Sequence, residues 1–386
     1  MRVIIAGGGT GGHLYPGIAI AEEVLARPGG EVLFVGTARG LEAKLVPAAG
    51  YPLELLQVSG LKRTGLRGLL RGLWRLPKAF LASRAILRRF RPDMVIGVGG
   101  YASGPLVLVA ALAGYPTAIQ EQNSRPGLTN RVLGRFVRRV FVAFEASRGF
   151  FAASKTALTG NPVRRRFFAG RQEGHRTPEA TGAALPPAAA TLLIVGGSQG
   201  ARAVNERVAA MASILAQRGV LPRIIHQAGP SDFEATRLRY AALGDAVAGV
   251  VDVRAYIDDM PAALAQASLV IGRAGALTLA ELAIVGCPAV LIPLPTAADD
   301  HQTENARELA AAGAAVILPQ AEASGDRLAD LVAALMADAP RRAAMARAMA
   351  SLGRPQAARA IVDELEKMAP PRSAIAAGVG HTRGRA

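Results

Sequence analysis

The chain reads as an α/β protein of two similar domains, each a parallel sheet covered by helices. Three observations predict this. Short β-rich apolar runs alternate with helical patterns from the first residue onward, which is the βαβ grammar of a parallel sheet. Two glycine-rich loops, Gly7-Gly8-Gly9-Thr10-Gly11-Gly12-His13 and Gly196-Gly197-Ser198-Gln199-Gly200-Ala201-Arg202, each follow such a run and precede a helical pattern. The 386 residues, 51% of them hydrophobic, suffice for two domains with separate cores.

The elements follow in order. Val3-Ile4-Ile5-Ala6 predicts a strand, about Gly17 to Leu25 a helix, and Val32-Leu33-Phe34-Val35 a second strand. Met94-Val95-Ile96-Gly97, Thr117-Ala118-Ile119 and Val140-Phe141-Val142 continue the scheme, and the first domain, 1–162, closes near Pro162. Residues 163–190 read as a linker, because 170–190 are rich in Gly, Pro, Ala and Thr without a period. The second domain, 191–352, carries strand-like runs at Leu192-Leu193-Ile194-Val195, Arg223-Ile224-Ile225-His226, Val250-Val251-Asp252-Val253, Leu269-Val270-Ile271-Gly272 and Ala289-Val290-Leu291-Ile292. A helical pattern over about 355–368 ends the globular part, and the tail 369–386, with Gly, Pro and Arg and no apolar period, is expected to be disordered.

Composition narrows the partners. The net charge of +16 calls for an acidic one: nucleic acid, an anionic membrane or phosphorylated substrates. The single cysteine, Cys287, excludes an internal disulfide framework and a cysteine-based zinc site, and between Gly286 and Pro288 it reads as packing rather than a nucleophile. Met1 to Ala6 runs straight into the glycine loop, leaving no room for a signal peptide, so no export is expected. Apolar runs such as Pro105 to Ala113 fall short of the roughly 18 to 20 residues of a spanning helix, so membrane contact would be peripheral.

Glycine lets bare backbone N–H groups approach an anion, and the following helix adds the positive end of its dipole. A third loop, Gly97-Val98-Gly99-Gly100-Tyr101-Ala102-Ser103-Gly104-Pro105, repeats the strand-loop-helix pattern within the first domain. Neither first-domain loop ends in the Lys-Ser/Thr pair of a P-loop, which argues against nucleotide hydrolysis in that style. Gly7-x-Gly9-x-x-Gly12 has the dinucleotide spacing, but no acid ends the second predicted strand, which weakens a nicotinamide reading. His13 ends the first loop, where a helix N-terminus favours a neutral, proton-accepting imidazole; it suits a general base, and equally a cap or a phosphate ligand. Glu281, in Arg273-Ala274-Gly275-Ala276-Leu277-Thr278-Leu279-Ala280-Glu281, could accept two ribose hydroxyls or close a capping box with Thr278. Asp299-Asp300-His301-Gln302-Thr303-Glu304-Asn305 mixes His with carboxylates, yet no second His lies at helical spacing, so it reads as a polar loop and no metal is assigned.

Taken together these residues resemble the MurG glycosyltransferases, over about residues 1 to 368. The motifs are Gly8-Gly9-Thr10-Gly11-Gly12-His13, Gly99-Gly100-Tyr101-Ala102-Ser103-Gly104-Pro105, Glu121-Gln122-Asn123, Gly160-Asn161-Pro162-Val163-Arg164, Gly196-Gly197-Ser198-Gln199-Gly200-Ala201 and Arg273-Ala274-Gly275-Ala276-Leu277-Thr278. The resemblance implies a GT-B fold, two Rossmann-like domains facing across a cleft, with helix 355–368 packing back on the first. It implies inverting transfer of N-acetylglucosamine from UDP-N-acetylglucosamine to the muramoyl C4 hydroxyl of lipid I, without a cofactor.

By the same resemblance, Ser198 would hold the donor diphosphate, Ile257 would contact uracil through its backbone, and Ala276, Leu277 and Thr278 would line the nucleotide site. Glu281 would bind ribose, and Gln302, with His301 beside it, would address the sugar hydroxyls. Thr10, Gly11, Gly12, Asn123 and Arg164 would reach the donor from the N-terminal side. Gly9, Gly99, Gly100, Tyr101, Ser103 and Gly104 would cradle the acceptor's diphosphate, with His13 as the base. The implied location is peripheral, on the cytoplasmic face of the inner membrane, with other cell-wall synthesis proteins as further partners.

The segment Lys62 to Leu81 supplies a membrane candidate. Leu69, Leu70, Leu73, Trp74, Phe80 and Leu81 share a helical face flanked by Arg67, Arg71, Arg75 and Lys78, while Pro77 is expected to kink the segment or begin a second helix. Beyond Phe80 a core-facing stripe is the simpler expectation. For Leu69 to Trp74, glycines dilute helix propensity and the only Trp lies among cations, which favours a lipid headgroup boundary. Nucleic acid is disfavoured, because the arginines alternate with Leu and Trp rather than with stacking aromatics. Two rival functions stay open: a UDP-N-acetylglucosamine 2-epimerase on the same fold, and a non-catalytic lipid-binding scaffold.

Overall fold

The structure, a computed structural model, describes residues 1–38, 40–58, 65–100, 102–169, 190–197 and 200–369, with the backbone alone over 65–76. The first unit runs β1 (Arg2–Ala6), α1 (Gly11–Leu25), β2 (Glu31–Gly36), α2 (Glu42–Ala48), β3 (Leu53–Leu55), α3 (Gly65–Phe90), β4 (Met94–Gly97), α4 (Ser103–Leu112), β5 (Thr117–Glu121), α5 (Leu128–Leu133), β6 (Arg139–Val142) and β7 (Thr156–Leu158). The second begins with α6 (Arg166–Ala169) and β8 (Thr191–Val195). It continues through α7 (Arg202–Gln217), β9 (Arg223–Gln227), α8 (Phe233–Ala241), α9 (Asp245–Ala248), β10 (Val251–Arg254), α10 (Met260–Gln266) and β11 (Leu269–Gly272). It ends with α11 (Ala276–Val285), β12 (Ala289–Leu291), α12 (His301–Ala311), β13 (Ala315–Ile317), α13 (Gly325–Ala337) and α14 (Ala339–Ser351). Helix α15 (Ala357–Met368) belongs to the first unit.

The first sheet has seven parallel strands in the order β3-β2-β1-β4-β5-β6-β7. Alternation along β1 sends Val3 and Ile5 to one face, against Leu14 and Ile18 of α1 and Ile361 and Leu365 of α15. It sends Ile4 and Ala6 to the other, against Ile86 and Leu87 of α3 and Leu106 and Val107 of α4. Burying Ile361, Val362 and Leu365 contributes at most about 2 to 3 kcal/mol each, enough to anchor this helix on α1. Arg27 to Asp363 and Arg139 to Glu364 add ion pairs at its rim.

Helix α3 is one helix of 26 residues that runs through Pro77 instead of starting anew there. Its core stripe is Ala79, Ser83, Ile86 and Leu87, all buried. A core-facing stripe beyond Phe80 forms at Ser83, Ile86 and Leu87 but does not include Leu81, which lies two positions from Ala79, about 200° around the helix, and is 70% exposed.

The second sheet has six parallel strands in the order β10-β9-β8-β11-β12-β13. Leu192 and Ile194 pack with Val204, Val208 and Met211 of α7 and with Leu328, Val332 and Leu335 of α13. The fully buried Arg342 donates from Nη1 to Leu335 O at 2.8 Å and to Met336 O, satisfying carbonyls that the end of α13 would otherwise leave unpaired. Residues Asn123–Arg125 group with this unit, although they lie within the range 1–162.

Candidate functional site

Each sheet reverses strand order once, between β1 and β4 in the first unit and between β8 and β11 in the second. Ligands of open parallel sheets bind outside the carboxyl ends of the strands at such reversals. All the glycine loops of the sequence fall there. In the first unit Ala6 pairs with Gly97, so the loops after β1 and β4 leave side by side. Val98 N donates to Ala6 O at 2.8 Å and Gly8 N to Gly99 O at 3.3 Å.

Two positive-φ glycines explain how closely these loops approach. A Cβ on Gly100 (φ +82°) would lie 2.3 Å from Gly8 O, and one on Gly99 (φ +92°) would lie 2.5 Å from His13 Nδ1. Gly99 therefore makes room for the imidazole. Gly9, expected to offer its amide to a ligand, donates it instead to Glu42 Oε2 at 2.6 Å. The other carboxylate oxygen of Glu42 accepts from Thr37 N and Oγ1, both at 2.8 Å, so this buried acid pins the first loop from behind. Thr10 caps α1 with no side-chain cap hydrogen bond; Thr10 and Gly12 are exposed and Gly11 is buried.

His13 is half-buried, and its Nδ1 lies 3.0 Å from Gln122 Oε1. Ser103 opens α4, fully buried, with an Oγ that has no partner among the described residues; Gly104 follows it in the same first turn. Tyr101 and Ser198 lie outside the described residues, as do the side chains of Arg67, Leu69, Leu70, Arg71, Leu73, Trp74 and Arg75, and the segments 170–189 and 370–386.

In the second unit the loops after β8 and β11 again flank the reversal, with Arg273 N donating to Val195 O at 3.3 Å. Gln227, buried at the end of β9, ties two loops together: Oε1 accepts from Ile257 N at 3.0 Å and Nε2 donates to Gly197 O at 3.2 Å. The Ile257 N–H is thus already engaged, while its carbonyl carries no such tie to Gln227. Behind this loop His226 is held neutral, its pKa lowered to about 3 by burial. Its Nε2 donates to Asn205 Oδ1 at 2.9 Å and its Nδ1 accepts from Tyr240 Oη at 3.0 Å. Asn205 Nδ2 passes the network on to Ala228 O and Asp232.

Helix α11 begins at Ala276 with Gly275 as its cap, so Thr278 lies three residues inside and no capping box with Glu281 forms. Ala276, Leu277 and Thr278 make the first turn at the strand ends. Glu281 is buried, and its pKa is pushed up to about 7 by burial against the opposing pull of Arg164. Arg273 donates to Ile292 O at 3.0 Å, Pro293 O at 3.2 Å and Gln320 Oε1 at 2.7 Å, bracing the loop after β12. On that loop Leu294 N donates to Gln302 Oε1 at 3.0 Å, which leaves the Gln302 amide nitrogen as a donor for a ligand. His301 Nδ1 donates to Ala298 O at 2.6 Å. Asn123, expected from the N-terminal side, accepts from Asn305 Nδ2 at 3.2 Å within the second unit, and Arg164 also belongs to this unit.

Sequence reasoning passed over Gln122, Glu42 and Gln227. Gln122 stood inside a noted motif; Glu42 opens α2 and Gln227 ends β9, positions that no noted motif covers.

Two parallel-sheet units with glycine loops at their strand-order reversals define a two-domain nucleotide-binding α/β protein. Residues 3–142 match the glycosyltransferase family 28 N-terminal domain and residues 191–361 its C-terminal domain. An Anaeromyxobacter sp. (strain Fw109-5) protein, named UDP-N-acetylglucosamine--N-acetylmuramyl-(pentapeptide) pyrophosphoryl-undecaprenol N-acetylglucosamine transferase, is 49% identical over 98% of this chain and 96% of its own length. A crystal structure of Acinetobacter baumannii MurG matches with a TM-score of 0.75 at 33% identity, covering 95% of this chain and 99% of that one. The chain belongs to the MurG family of glycosyltransferases. A Neisseria meningitidis UDP-GlcNAc 2-epimerase shares the fold alone, with a TM-score of 0.66 at 13% identity over 95% of this chain and 100% of that one.

Proposed function

We propose that this enzyme transfers N-acetylglucosamine from UDP-N-acetylglucosamine to the muramoyl C4 hydroxyl of lipid I, giving lipid II and UDP. The donor binds the second unit. Glu281 accepts the ribose hydroxyls, Ile257 O meets the uracil N–H, the loop from Gly196 with Ser198 holds the diphosphate, and Gln302 Nε2 reaches the sugar. Ala276, Leu277 and Thr278 line this site, with Asn123 and Arg164 beside it. The lipid-linked diphosphate of the acceptor binds the first unit, at the loop of Gly99 and Gly100 and the start of α4 at Ser103 and Gly104, while Thr10, Gly11 and Gly12 are assigned to the donor.

In the chemical step the acceptor C4 oxygen attacks the donor C1 from the face opposite UDP and passes its proton to His13 Nε2. The C1–O bond breaks with its electron pair leaving on UDP, so the anomeric centre inverts. The observation that supports this is His13 at the head of α1, with Nδ1 3.0 Å from Gln122 Oε1.

Contact with an anionic membrane surface is supported on the first unit. Among the described residues Leu81 and Leu112 are 70% and 72% exposed on the packed pair α3 and α4, with the cations Arg84 and Arg88 on α3 exposed as well. Among the described residues no helix is long and apolar enough to cross a membrane. Such contact would hold the enzyme peripherally, on the cytoplasmic face of the membrane.

Labelled UDP-N-acetylglucosamine, incubated with and without a lipid I analogue, tests the reading. Labelled disaccharide lipid formed only with acceptor supports transfer. Epimer formed without acceptor overturns it in favour of an epimerase, and no turnover favours a scaffold.

A further inference from the structure

His13 is the third residue of α1, and nothing on its own helix fixes which ring nitrogen carries the proton. Gln122 does. Its side chain is 2% exposed, and its Nε2 donates to the backbone carbonyl of Val98 at 2.8 Å. A carbonyl only accepts, so the amide nitrogen must face Val98 and the oxygen must face His13. Flipping the amide would set Oε1 against Val98 O with no proton between them.

A second contact runs in the same direction. Gln122 Nε2 also donates to Gln120 Oε1, and Gln120, fully buried, donates from its own Nε2 to Asn161 Oδ1 at 3.3 Å. The three amides form one directed chain ending at Gln122 Oε1, an oxygen with no proton to give. The 3.0 Å contact with His13 Nδ1 therefore requires a proton on Nδ1.

We infer that Gln122 is a positioning residue that holds neutral His13 as the Nδ1–H tautomer, aiming the Nε2 lone pair outward as the proton acceptor. Free histidine prefers the opposite tautomer, with the proton on Nε2, which cannot accept from a substrate hydroxyl at that atom. Gln122 removes that preference without adding a charge, and Gly99, lacking a Cβ, leaves room for the ring to make the contact. This rests on the proposed role of His13 as base.

The test uses the full chain labelled with ¹⁵N in its five histidines, at about pH 8.5, two units above the ordinary imidazole value near 6.5. The His13 ring signals are assigned by their loss in His13→Ala. The wild type is expected to show a protonated Nδ1 and an unprotonated Nε2. Gln122→Met, of similar length but without the acceptor, is expected to shift the population to Nε2–H and to lower kcat by about 10- to 100-fold, part of the 10²–10⁴ range for general base catalysis. KM for UDP-N-acetylglucosamine should stay within about twofold, because the donor binds the other unit. Retained UDP binding and a cooperative melt show that the variant has folded.

A wild-type ring protonated on Nε2 overturns the inference, and so does Gln122→Met leaving the proton on Nδ1. If His13→Ala retains full kcat while the wild-type ring is protonated on Nδ1, the base reading fails and the tautomer assignment stands.

Discussion

Glu281 Oε1 lies 3.4 Å from Arg164 Nη2, with the two side chains only 9% and 11% exposed. Burial raises the carboxyl pKa from 4.5 to about 7, and the nearby guanidinium opposes the rise without cancelling it. An ionised carboxylate accepts from both ribose hydroxyls, whereas a protonated one accepts less well and carries a proton of its own. Affinity for UDP should therefore rise with pH through about 7. Glu281→Gln should bind about tenfold more weakly, about 1.4 kcal/mol, with a flat pH profile in titration calorimetry. For folding the sign is opposite. Because the folded pKa is raised, the stability from this group is fully present below 4.5 and is lost as pH rises through about 7.

His226 provides the reverse case. Its folded pKa is lowered from 6.5 to about 3, so the unfolded chain takes up a proton that the folded one refuses. Its contribution is present above 6.5 and is lost as pH falls toward 3. Urea denaturation between these limits should show His226→Gln losing less stability on acidification than the wild type.

Gly99→Ala should impair the chemistry without touching the donor site. The added Cβ would lie 2.5 Å from His13 Nδ1 and would push the imidazole off Gln122. A fall in kcat of at least about tenfold is expected, since a misplacement near 1 Å can cost about 10²-fold. UDP binding measured by calorimetry should be unchanged.

His13→Ala should lower kcat by about 10²- to 10⁴-fold with little change in donor KM. Turnover close to wild type in a steady-state assay with a lipid I analogue would remove His13 from the role of base.

Leu81→Asp should weaken sedimentation with phosphatidylglycerol vesicles by about tenfold, the effect of withdrawing roughly one exposed leucine from lipid. Binding of UDP should be unaffected.

Much of this was legible in the sequence. The apolar runs that predicted strands at Val3 to Ala6, Met94 to Gly97 and Leu269 to Gly272 became strands, because β-rich apolar stretches between glycine loops have few other ways to bury themselves. The glycine loops themselves marked the strand ends. Helix α3 was harder, since Pro77 suggested a kink or the start of a second helix, and one helix runs on through it. The Thr278 and Glu281 spacing was ambiguous for a related reason: capping depends on where a helix starts, and Gly275 starts this one.

The sequence by itself determined the alternation of strand and helix, the two-domain plan, the glycine loops and the presence of His13 and Glu281 beside them. Only the tertiary structure decided what those groups touch. Glu42 takes the Gly9 amide across 33 residues of chain, Gln122 meets His13 across 109, and Arg164 meets Glu281 across 117. Hydrogen-bond direction, tautomer and carboxyl ionisation depend on such neighbours and on burial. Local periodicity and motif spacing carry no information about either.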